Sequence, residues 1–547
     1  MNIDEATRKF IDSLKQTCGS FGLGNDGNEY KIIIQVFLYK YFNDKFGYEA
    51  KRTSRFGERL RNAERWDEEY DKFSEDEMLD LFDFLPAGTP RLRPQHTISH
   101  LYNAQGQSDI SSLFDATLID IADLNADVFS VVTDSGSKLT IFEGVANLLS
   151  DSKKRDEFVR SLLRYIADPD ANFEAIFEEK YDFFSTMFEH LIKDYNKDGG
   201  GKYAEYYTPR SIALIMARLL VGDATDLRNI ECYDPSAGTG TLLMALAHIV
   251  GEDRCTMFSQ DVSQKSSLML RLNLILNNLP SSIQNVVQGD TLLNPGHKNA
   301  DGTLKKFDYI VSNPPFKLDF PDIRDTIAKD TVRFWAGVPN APKEINPDKP
   351  KMEIYTCFIQ HMINSLKDGK GKGAIVVPTG FITGKSGIKK KILEKIVKEE
   401  IVYGCVSMPS NVFATTGTNV SVLFFDKKKN HDKVILIDAS KFGETRKDGN
   451  TQRCFLSEQE IETIVRTFNM AMPVDDFCVP PSFKDIEDKG YSLSAGQYFD
   501  IKIEHIDISK EDFDLRMNEF DAHLSKLFEE GKALEDNILN SIRTMSL

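Results

Sequence analysis

Asp234, Asp261, Asp290 and Asn313 each end or directly follow one of four successive predicted strands, and their side chains suit the binding of a nucleoside and an amine. Carboxylates accept hydrogen bonds from ribose hydroxyls and amino groups, and a carboxamide oxygen accepts them from an amine. In open α/β sheets, ligands bind beyond the carboxyl ends of the strands. The sequence therefore predicts one binding edge where these four residues meet.

The segment DPSAGTG, which Asp234 opens, predicts a turn that brings bare backbone close to a ligand. Gly238 and Gly240 remove Cβ obstruction, and the helix that follows presents free N–H groups. Leu243 occupies the third glycine position of a dinucleotide loop, and no GK[ST] follows as in a P-loop. A glycine turn alone also fits a plain strand-to-helix connection.

Two further carboxylates favour a ligand at this turn. Asp261 is positioned to accept from both hydroxyls of a ribose, and Asp290, in QGDTL, to accept from an adenine amino group. Either residue alone would fit a solvated loop or a helix cap. Their succession at strand ends predicts an adenosine-like ligand without phosphates.

The fourth strand ends in Asn313, Pro314, Pro315 and Phe316, a combination suited to a conjugated amine. The prolines fix φ and lack N–H groups, so the Asn313 side-chain oxygen and the Pro314 carbonyl remain as acceptors. Two acceptors favour a pyramidal amine that attacks a methyl sulfonium in line. Phe316 offers a face for an extruded base. An isolated Asn-Pro-Pro would favour a plain turn.

The elements that position these residues form a doubly wound α/β domain, predicted for 198–440 from short β-branched segments that alternate with helices. The predicted strands are 230–234, 255–260, 285–289, 308–312, 373–377, 401–407, 419–425 and 433–438, with helices at 263–278 and 353–367.

An all-helical domain is predicted before it, over 1–197, with amphipathic segments at 156–167 and 181–194. A glycine-rich loop at 197–202 marks the boundary. A C-terminal extension is predicted for 441–504.

A helical tail for subunit assembly is predicted for 505–547. Its apolar residues recur at alternating four- and three-residue steps, with Gly531 in one seam position. Such a helix either packs on its own domain or docks on a partner helix. The stripe consists of Phe520, Leu524, Leu527, Leu534 and Ile538.

Composition excludes several classes of protein. The 547 residues include no apolar run of membrane-spanning length, and the N-terminus lacks a secretory signal, which predicts a cytoplasmic protein. Seven scattered cysteines predict reduced thiols, and the nine histidines show no metal-ligand spacing, so no metal is predicted. A net charge of -17 argues against a chain that grips DNA alone. The lysine-rich stretch 385–398 fits a solvated helix better than a phosphate track.

In this order and spacing, DPSAGTG, Asp261, QGD and NPPF resemble the amino-methyltransferases that modify adenine N6. The segment NEYKIIIQVFLYKYFNDKF is similar to type I restriction-modification modification subunits in particular. The resemblance implies a Rossmann-like methyltransferase domain that uses S-adenosyl-L-methionine. It also implies a preceding segment that folds over the methionine part of this cofactor: Glu205, Tyr206, Tyr207, Thr208, Pro209 and Arg210.

The resemblance also implies roles for individual residues. Asn313, Pro314, Pro315 and Phe316 would hold the target base, and Asp290 would contact the cofactor adenine. The remaining cofactor residues implied are Asp234, Ser236, Ala237, Gly238, Gly240 and Asp261.

The resemblance implies partners as well: double-stranded DNA, a specificity subunit that binds two copies of this chain, and in some complexes a restriction subunit. Related enzymes methylate cytosine N4 or a protein glutamine amide, and a non-catalytic scaffold of the same fold is a further alternative. The large helical domain favours adenine.

Overall fold

In the computed structural model, the chain divides into two units, Met1–Tyr498 and Phe499–Leu547. The structure describes residues 3–24, 27–129, 131–132, 138–169, 171, 173–177, 208–341, 352–413, 419–448, 451–499 and 509–545. The predicted helix 181–194 and boundary loop 197–202 lie outside these residues. The domain boundaries stay predictions.

The N-terminal region centres on helix α2 (Gly27–Ala50), whose residues 32–44 are all buried. A mostly apolar helix that is buried on every face belongs in a core. Its buried charges are paired, since Lys40 Nζ donates to Asp44 Oδ1 at 3.1 Å. The other helices are α1 (Ile3–Ser20), α3 (Gly57–Asn62), α4 (Trp66–Tyr70), α5 (Glu75–Phe84), α6 (Ile98–Asn103), α7 (Ile110–Leu124), α8 (Ala126–Phe129) and α9 (Arg155–Ile166).

This region departs from the predicted all-helical domain at one described place. Strands β1 (Val131–Val132) and β2 (Lys138–Leu139) form a short antiparallel pair. The sequence between them, TDSGS, is rich in turn-forming residues, and β-branched residues flank it. A hairpin signal embedded between helices is easily missed because each strand is only two residues long.

The described strands β3 to β10 and β13 form one mixed sheet in the order β13-β10-β8-β9-β7-β6-β3-β4-β5. The eight predicted strands all lie in it, which confirms the predicted fold class. A separate hairpin consists of β11 (Glu444–Asp448) and β12 (Thr451–Phe455). The sheet strands are β3 (Ile230–Asp234), β4 (Cys255–Asp261), β5 (Val286–Gln288), β6 (Tyr309–Ser312), β7 (Lys372–Pro378), β8 (Val402–Ser407), β9 (Val420–Asp426), β10 (Ile435–Asp438) and β13 (Cys478–Val479).

The sheet is less parallel than its alternating pattern suggests. Strand β9 runs antiparallel to both β7 and β8, and β13 runs antiparallel to β10. Neighbouring parallel strands require a crossover, usually a helix, whereas antiparallel neighbours need only a loop. The described residues between β8 and β9 contain no helix, so the chain turns back on itself there.

Strands β3, β4, β5 and β6 are mutually parallel, so their carboxyl ends share one edge. This edge carries Asp234, Asp261, Asp290 and Asn313. The helices of this part are α10 (Arg210–Val221), α11 (Thr241–Val250), α12 (Gln264–Leu276), α13 (Pro321–Ile327), α14 (Tyr355–Ser365), α15 (Thr379–Ile382), α16 (Gly387–Lys398), α17 (Glu458–Met470) and α18 (Phe483–Asp488).

The N-terminal region packs against the C-terminal end of α12 and the turn that follows it. Tyr41 Oη donates to the Ile275 carbonyl at 3.3 Å, and a Cβ added at Gly88 would lie 2.3 Å from Pro280 Cγ. This packing supports α12, which follows Asp261 directly in the chain.

The second unit contains helix α19 (Lys510–Met545), 36 residues long. The apolar stripe predicted in the tail lies on it and is exposed, with between 48% and 62% of each side chain accessible: Phe520, Leu524, Leu527, Leu534 and Ile538. An exposed apolar stripe of this length is suited to docking.

Several further features bear on function. Among the described residues, no helix has the length and apolarity needed to cross a membrane. That part of the chain also contains no group of three or more His, Cys, Asp or Glu side chains that could hold a metal ion. All seven cysteines are buried and free.

Candidate active site at the ends of the parallel strands

The glycine-rich turn after β3 is held from beneath by Asp234, which is only 1% exposed. Its Oδ1 accepts from the Ser236 backbone N–H at 2.9 Å. The Gly240 N–H donates to the Ala237 carbonyl at 2.8 Å, and Gly238 and Gly240 have φ values of 53° and 85°. Asp234 was predicted to line the cofactor; in the structure its buried carboxylate supports the turn through Ser236.

Gly240 also lets α11 begin close to α12. A Cβ at this position would lie 2.0 Å from Leu270 Cδ1, so a side chain here would require the end of the Leu270 side chain to move. The glycine therefore serves helix packing as well as backbone conformation. The helix begins at Thr241, directly after it.

Asp261, at the end of β4, is bonded directly to the turn. Its Oδ2 accepts from the Gly238 N–H at 2.9 Å, and its Oδ1 accepts from the Ser263 N–H at 2.8 Å. The side chain is partly exposed, and each carboxylate oxygen can accept a second hydrogen bond. Burial raises the pKa of Asp261 above its usual value. The geometry leaves this carboxylate able to accept from a diol beside the turn.

Asp290 follows β5 and folds back on its own loop. Its Oδ1 accepts from the backbone N–H groups of Leu292 and Leu293 at 2.9 and 3.1 Å. The neighbouring Thr291 hydroxyl donates to the Pro235 carbonyl at 2.6 Å, which ties this loop to the glycine-rich turn. Asp290 thus has a fixed position beside the turn.

The Asn-Pro-Pro segment after β6 is joined to the same turn by a pair of hydroxyls. Ser312 is fully buried, and its Oγ lies 2.6 Å from Ser236 Oγ. Asn313 is partly exposed, and its Nδ2 donates to Thr208 Oγ1 at 3.0 Å. Ser312 was not among the predicted site residues, although a hydroxyl directly before the asparagine of a predicted site would have been a signal.

Phe316 is partly exposed and packs edge-to-face on Tyr355, at 6.3 Å and 82° between the rings. Tyr355 packs in turn on Phe381 at 5.8 Å and 86°. Edge-to-face contacts of this kind fix the plane of a ring. Among the described residues, the buried Tyr355 hydroxyl has no hydrogen-bond partner. Tyr355 was not among the predicted site residues, because nothing in the local sequence pattern connects it to Phe316.

The segment before α10 is only partly described. Glu205, Tyr206 and Tyr207 lie outside the described residues, while Thr208 and Pro209 are buried beside Asn313. Arg210 donates from Nη1 to Glu458 Oε1 on α17 at 3.2 Å. Of the residues predicted to cover the cofactor, Thr208 therefore lies at the site, whereas the Arg210 guanidinium is paired with α17.

Burial raises the pKa of Asp234 to about 8. The folded protein therefore keeps a proton that the unfolded chain loses near pH 4. Between about pH 4 and pH 8, the folded state binds more protons than the unfolded chain. The contribution of Asp234 to the free energy of unfolding is therefore fully present at low pH and is lost as the pH rises toward 8. The free energy of unfolding is expected to fall by up to about 1.4 kcal/mol per pH unit in this range.

Asp234→Asn is therefore expected to gain stability relative to the wild type as the pH rises from 5 to 8, because Asn keeps the acceptor for Ser236 without a titrating proton. Urea unfolding without cofactor at several pH values measures the difference. Asp253→Asn is the control, since that side chain is 87% exposed. Parallel curves for Asp234→Asn and the wild type would show that Asp234 does not titrate in this range.

A model of the N-6 DNA methylase family matches residues 179–506 of the chain, which include the turn, Asp261 and Asn313. The chain is 26% identical over 381 residues to the methylase subunit of the type I restriction enzyme MpnII of Mycoplasma pneumoniae, covering 68% of this chain and 64% of that protein. It is 26% identical over 339 residues to the MjaIX methylase subunit of Methanocaldococcus jannaschii, covering 59% and 56%. The matched stretches are thus less than two thirds of the length of either relative.

A solved structure has a similar fold. The methyltransferase subunit of a type I restriction-modification system from Streptococcus thermophilus matches with a TM-score of 0.68 and 20% identity. The match covers 91% of this chain and 99% of that chain. The likeness extends over both the helical region and the mixed sheet.

Proposed function

Because the chain belongs to the N-6 DNA methylase family, we propose that it methylates adenine N6 in double-stranded DNA as the modification subunit of a type I restriction-modification complex. The observation that carries this proposal is the 2.6 Å contact between Ser236 and Ser312. It joins a nucleoside-binding turn to the residue before Asn313. A cofactor turn and an amine-holding amide in one hydrogen-bonded unit suit methyl transfer to an amine.

The residues at the strand ends fit S-adenosyl-L-methionine. The described turn from Asp234 to Thr241 carries no basic side chain for a phosphate, and Asp261 offers acceptors for a ribose diol. Ser236, Ala237, Gly238 and Gly240 would line the cofactor, with Asp290 near its adenine. Glu205 to Arg210 would cover its methionine part. When bound, S-adenosyl-L-methionine would supply the electrophilic methyl group that N6 takes up with loss of one proton.

The chain's own groups would orient the target amine. The Asn313 Oδ1 and the Pro314 carbonyl are proposed to accept its two hydrogens, and Phe316 to stack on the extruded base. The two prolines keep this segment rigid, so little reorganisation is needed when the base arrives. No cysteine nucleophile is required. Cys357 is buried, and burial raises its thiol pKa to about 12.

The proposed activity is tested with the chain and the specificity subunit encoded beside it, tritiated S-adenosyl-L-methionine and duplex DNA. Nucleosides from the digested product are then separated by mass spectrometry. N6-methyladenine is the expected product, and N4-methylcytosine would instead establish the cytosine alternative. Absence of both transfer and cofactor binding by calorimetry would support the scaffold. Methylome sequencing of cells with and without the pair gives the target sequence.

The acidic charge of the chain supports a partner that reads DNA. With a net charge of -17, the isolated chain lacks the excess of Lys and Arg that neutralises phosphates. We place sequence recognition on the specificity subunit, with two copies of this chain per specificity subunit and a restriction subunit in some assemblies. DNA as substrate implies action in the cytoplasm. Tight sequence-specific binding by the isolated chain would contradict this division of labour.

The exposed stripe on α19 is the proposed contact with the specificity subunit, because its spacing suits a helix packed on a partner helix. Leu527→Glu is expected to weaken association about 10- to 50-fold, since a charge would enter the apolar seam. Ser525→Glu is the matched control, because it adds the same charge outside the stripe. Analytical ultracentrifugation of the two subunits measures the affinity. Equal affinities of the two variants for the specificity subunit would show that the subunit contact lies outside this stripe.

A further inference from the structure

The Asn313 carboxamide is held by a residue far away in the sequence. Its Nδ2 donates to Thr208 Oγ1 at 3.0 Å, across a separation of 105 residues. Thr208 is 5% exposed, whereas Asn313 is partly exposed to the site. The hydrogen bond therefore connects a buried hydroxyl to a partly exposed amide at the ends of the strands.

A primary carboxamide can expose either its oxygen or its NH2 group, since a rotation about the terminal bond exchanges the two. Only the oxygen accepts a hydrogen from an amine. A hydroxyl that accepts from the NH2 group, as Thr208 does, leaves the oxygen of Asn313 for the substrate. We propose that Thr208 is a positioning residue that fixes the rotamer of the Asn313 amide. This inference rests on the proposed function.

Thr208 is itself held firmly. Pro209 restricts the backbone of Thr208, the residue before it. The Pro209 carbonyl accepts from the Ala213 N–H at 3.1 Å, in the first turn of α10. Ion pairs Arg210–Glu458 at 3.2 Å and Arg218–Glu462 at 3.4 Å connect α10 to α17.

On the opposite side, Ser312 bonds to Ser236 immediately before Asn313. The Asn313 side-chain amide and the residue directly before Asn313 are thus held by two separate parts of the chain. One is the start of α10, and the other is the glycine-rich turn.

The family resemblance gives Thr208 a different role, as one of the residues that line the cofactor. The two roles predict different measurements. Loss of a cofactor contact lowers affinity for the cofactor and is overcome at saturation. Loss of amide positioning lowers the rate of methyl transfer at saturating cofactor and leaves cofactor affinity unchanged.

Thr208→Val removes the hydroxyl and keeps the β-branched shape. In the complex with the specificity subunit, the single-turnover methylation rate at saturating cofactor is expected to fall about 10- to 30-fold, equivalent to ~1.4–2 kcal/mol. Cofactor affinity by calorimetry is expected to stay within about twofold. Thr208→Ser restores the acceptor and is expected to recover the rate to within about threefold. Thr225→Val is the control, because Thr225 is exposed.

A second measurement does not depend on activity. Thr208→Val and Asn313→Ala break the same hydrogen bond, so their effects on the urea midpoint of the cofactor-free protein are expected to be less than additive. Additive effects, or an unchanged rate in Thr208→Val, would overturn the proposal. So would a loss of cofactor affinity with a normal rate at saturation. If Thr208→Val fails to fold, Thr208→Ala is measured in the same way. A wild-type complex that methylates no DNA would instead refute the proposed function.

Discussion

Asn313→Ala is expected to lower the rate of methyl transfer about 100- to 1000-fold while leaving cofactor affinity within about twofold. The substitution removes the acceptor proposed for the target amine, and loss of one preorganised polar group at a reacting centre has effects of this size. The Asn313 side chain bonds to Thr208, whereas Asp261 bonds to Gly238 and Ser263, so the bonds between Asp261 and the turn are expected to stay intact. The rate is measured by single-turnover transfer of a tritiated methyl group.

The matched control for this variant is Asn469→Ala, since Asn469 lies exposed on α17. Duplex DNA with 2-aminopurine at the target position reports base extrusion separately from methylation. We expect Asn313→Ala to retain much of the fluorescence increase, because Phe316 still offers its face. Retained methylation in Asn313→Ala would refute the assigned role, whichever base proves to be the substrate.

Asp261→Ala is expected to weaken S-adenosyl-L-methionine binding about 10- to 150-fold, as loss of a charge-assisted hydrogen bond of ~1.5–3 kcal/mol implies. The variant also removes the acceptor for the Gly238 and Ser263 N–H groups. Part of the loss therefore comes from a less ordered turn. Asp261→Asn, which keeps one oxygen, is expected to fall between the wild type and Asp261→Ala. Isothermal titration calorimetry measures all three.

The same carboxylate gives cofactor binding a pH dependence. Burial raises the pKa of Asp261, and the ionised carboxylate is a stronger acceptor for a diol than the protonated acid. Affinity is therefore expected to decline as the pH falls through this raised pKa and to plateau above it. Asp253→Ala is the control, because that exposed side chain precedes β4, at the end of the strand opposite to Asp261. An affinity in Asp261→Ala equal to that of the wild type would remove Asp261 from the cofactor site.

Local patterns predicted the sheet because each signal depends on neighbouring residues. Strands such as β7 and β9 are continuous apolar runs, as expected of strands buried on both faces. The direction of β9 was not predicted, since strand signals do not encode direction. It depends on whether the connection packs as a crossover helix or turns back, and that depends on the rest of the fold.

The sequence by itself determined the residue types at the site and their common edge. A glycine-rich turn, Asp261, Asp290 and Asn313 follow parallel strands, and parallel strands place their carboxyl ends together. Strand periodicity is a local signal, and the right-handed crossover rule limits how the parallel strands can then be arranged in the sheet. These residues therefore needed no long-range information to be grouped.

Only the tertiary structure decided how these residues are held. It places Asp234 beneath the turn, Ser312 against Ser236, and Thr208 against the Asn313 amide. Such contacts depend on side-chain directions and on packing between elements distant in sequence, because a hydrogen bond requires an approach within about 3 Å. Sequence spacing cannot specify a distance of that kind. For this reason only the tertiary structure identifies Thr208 as the partner of the Asn313 amide.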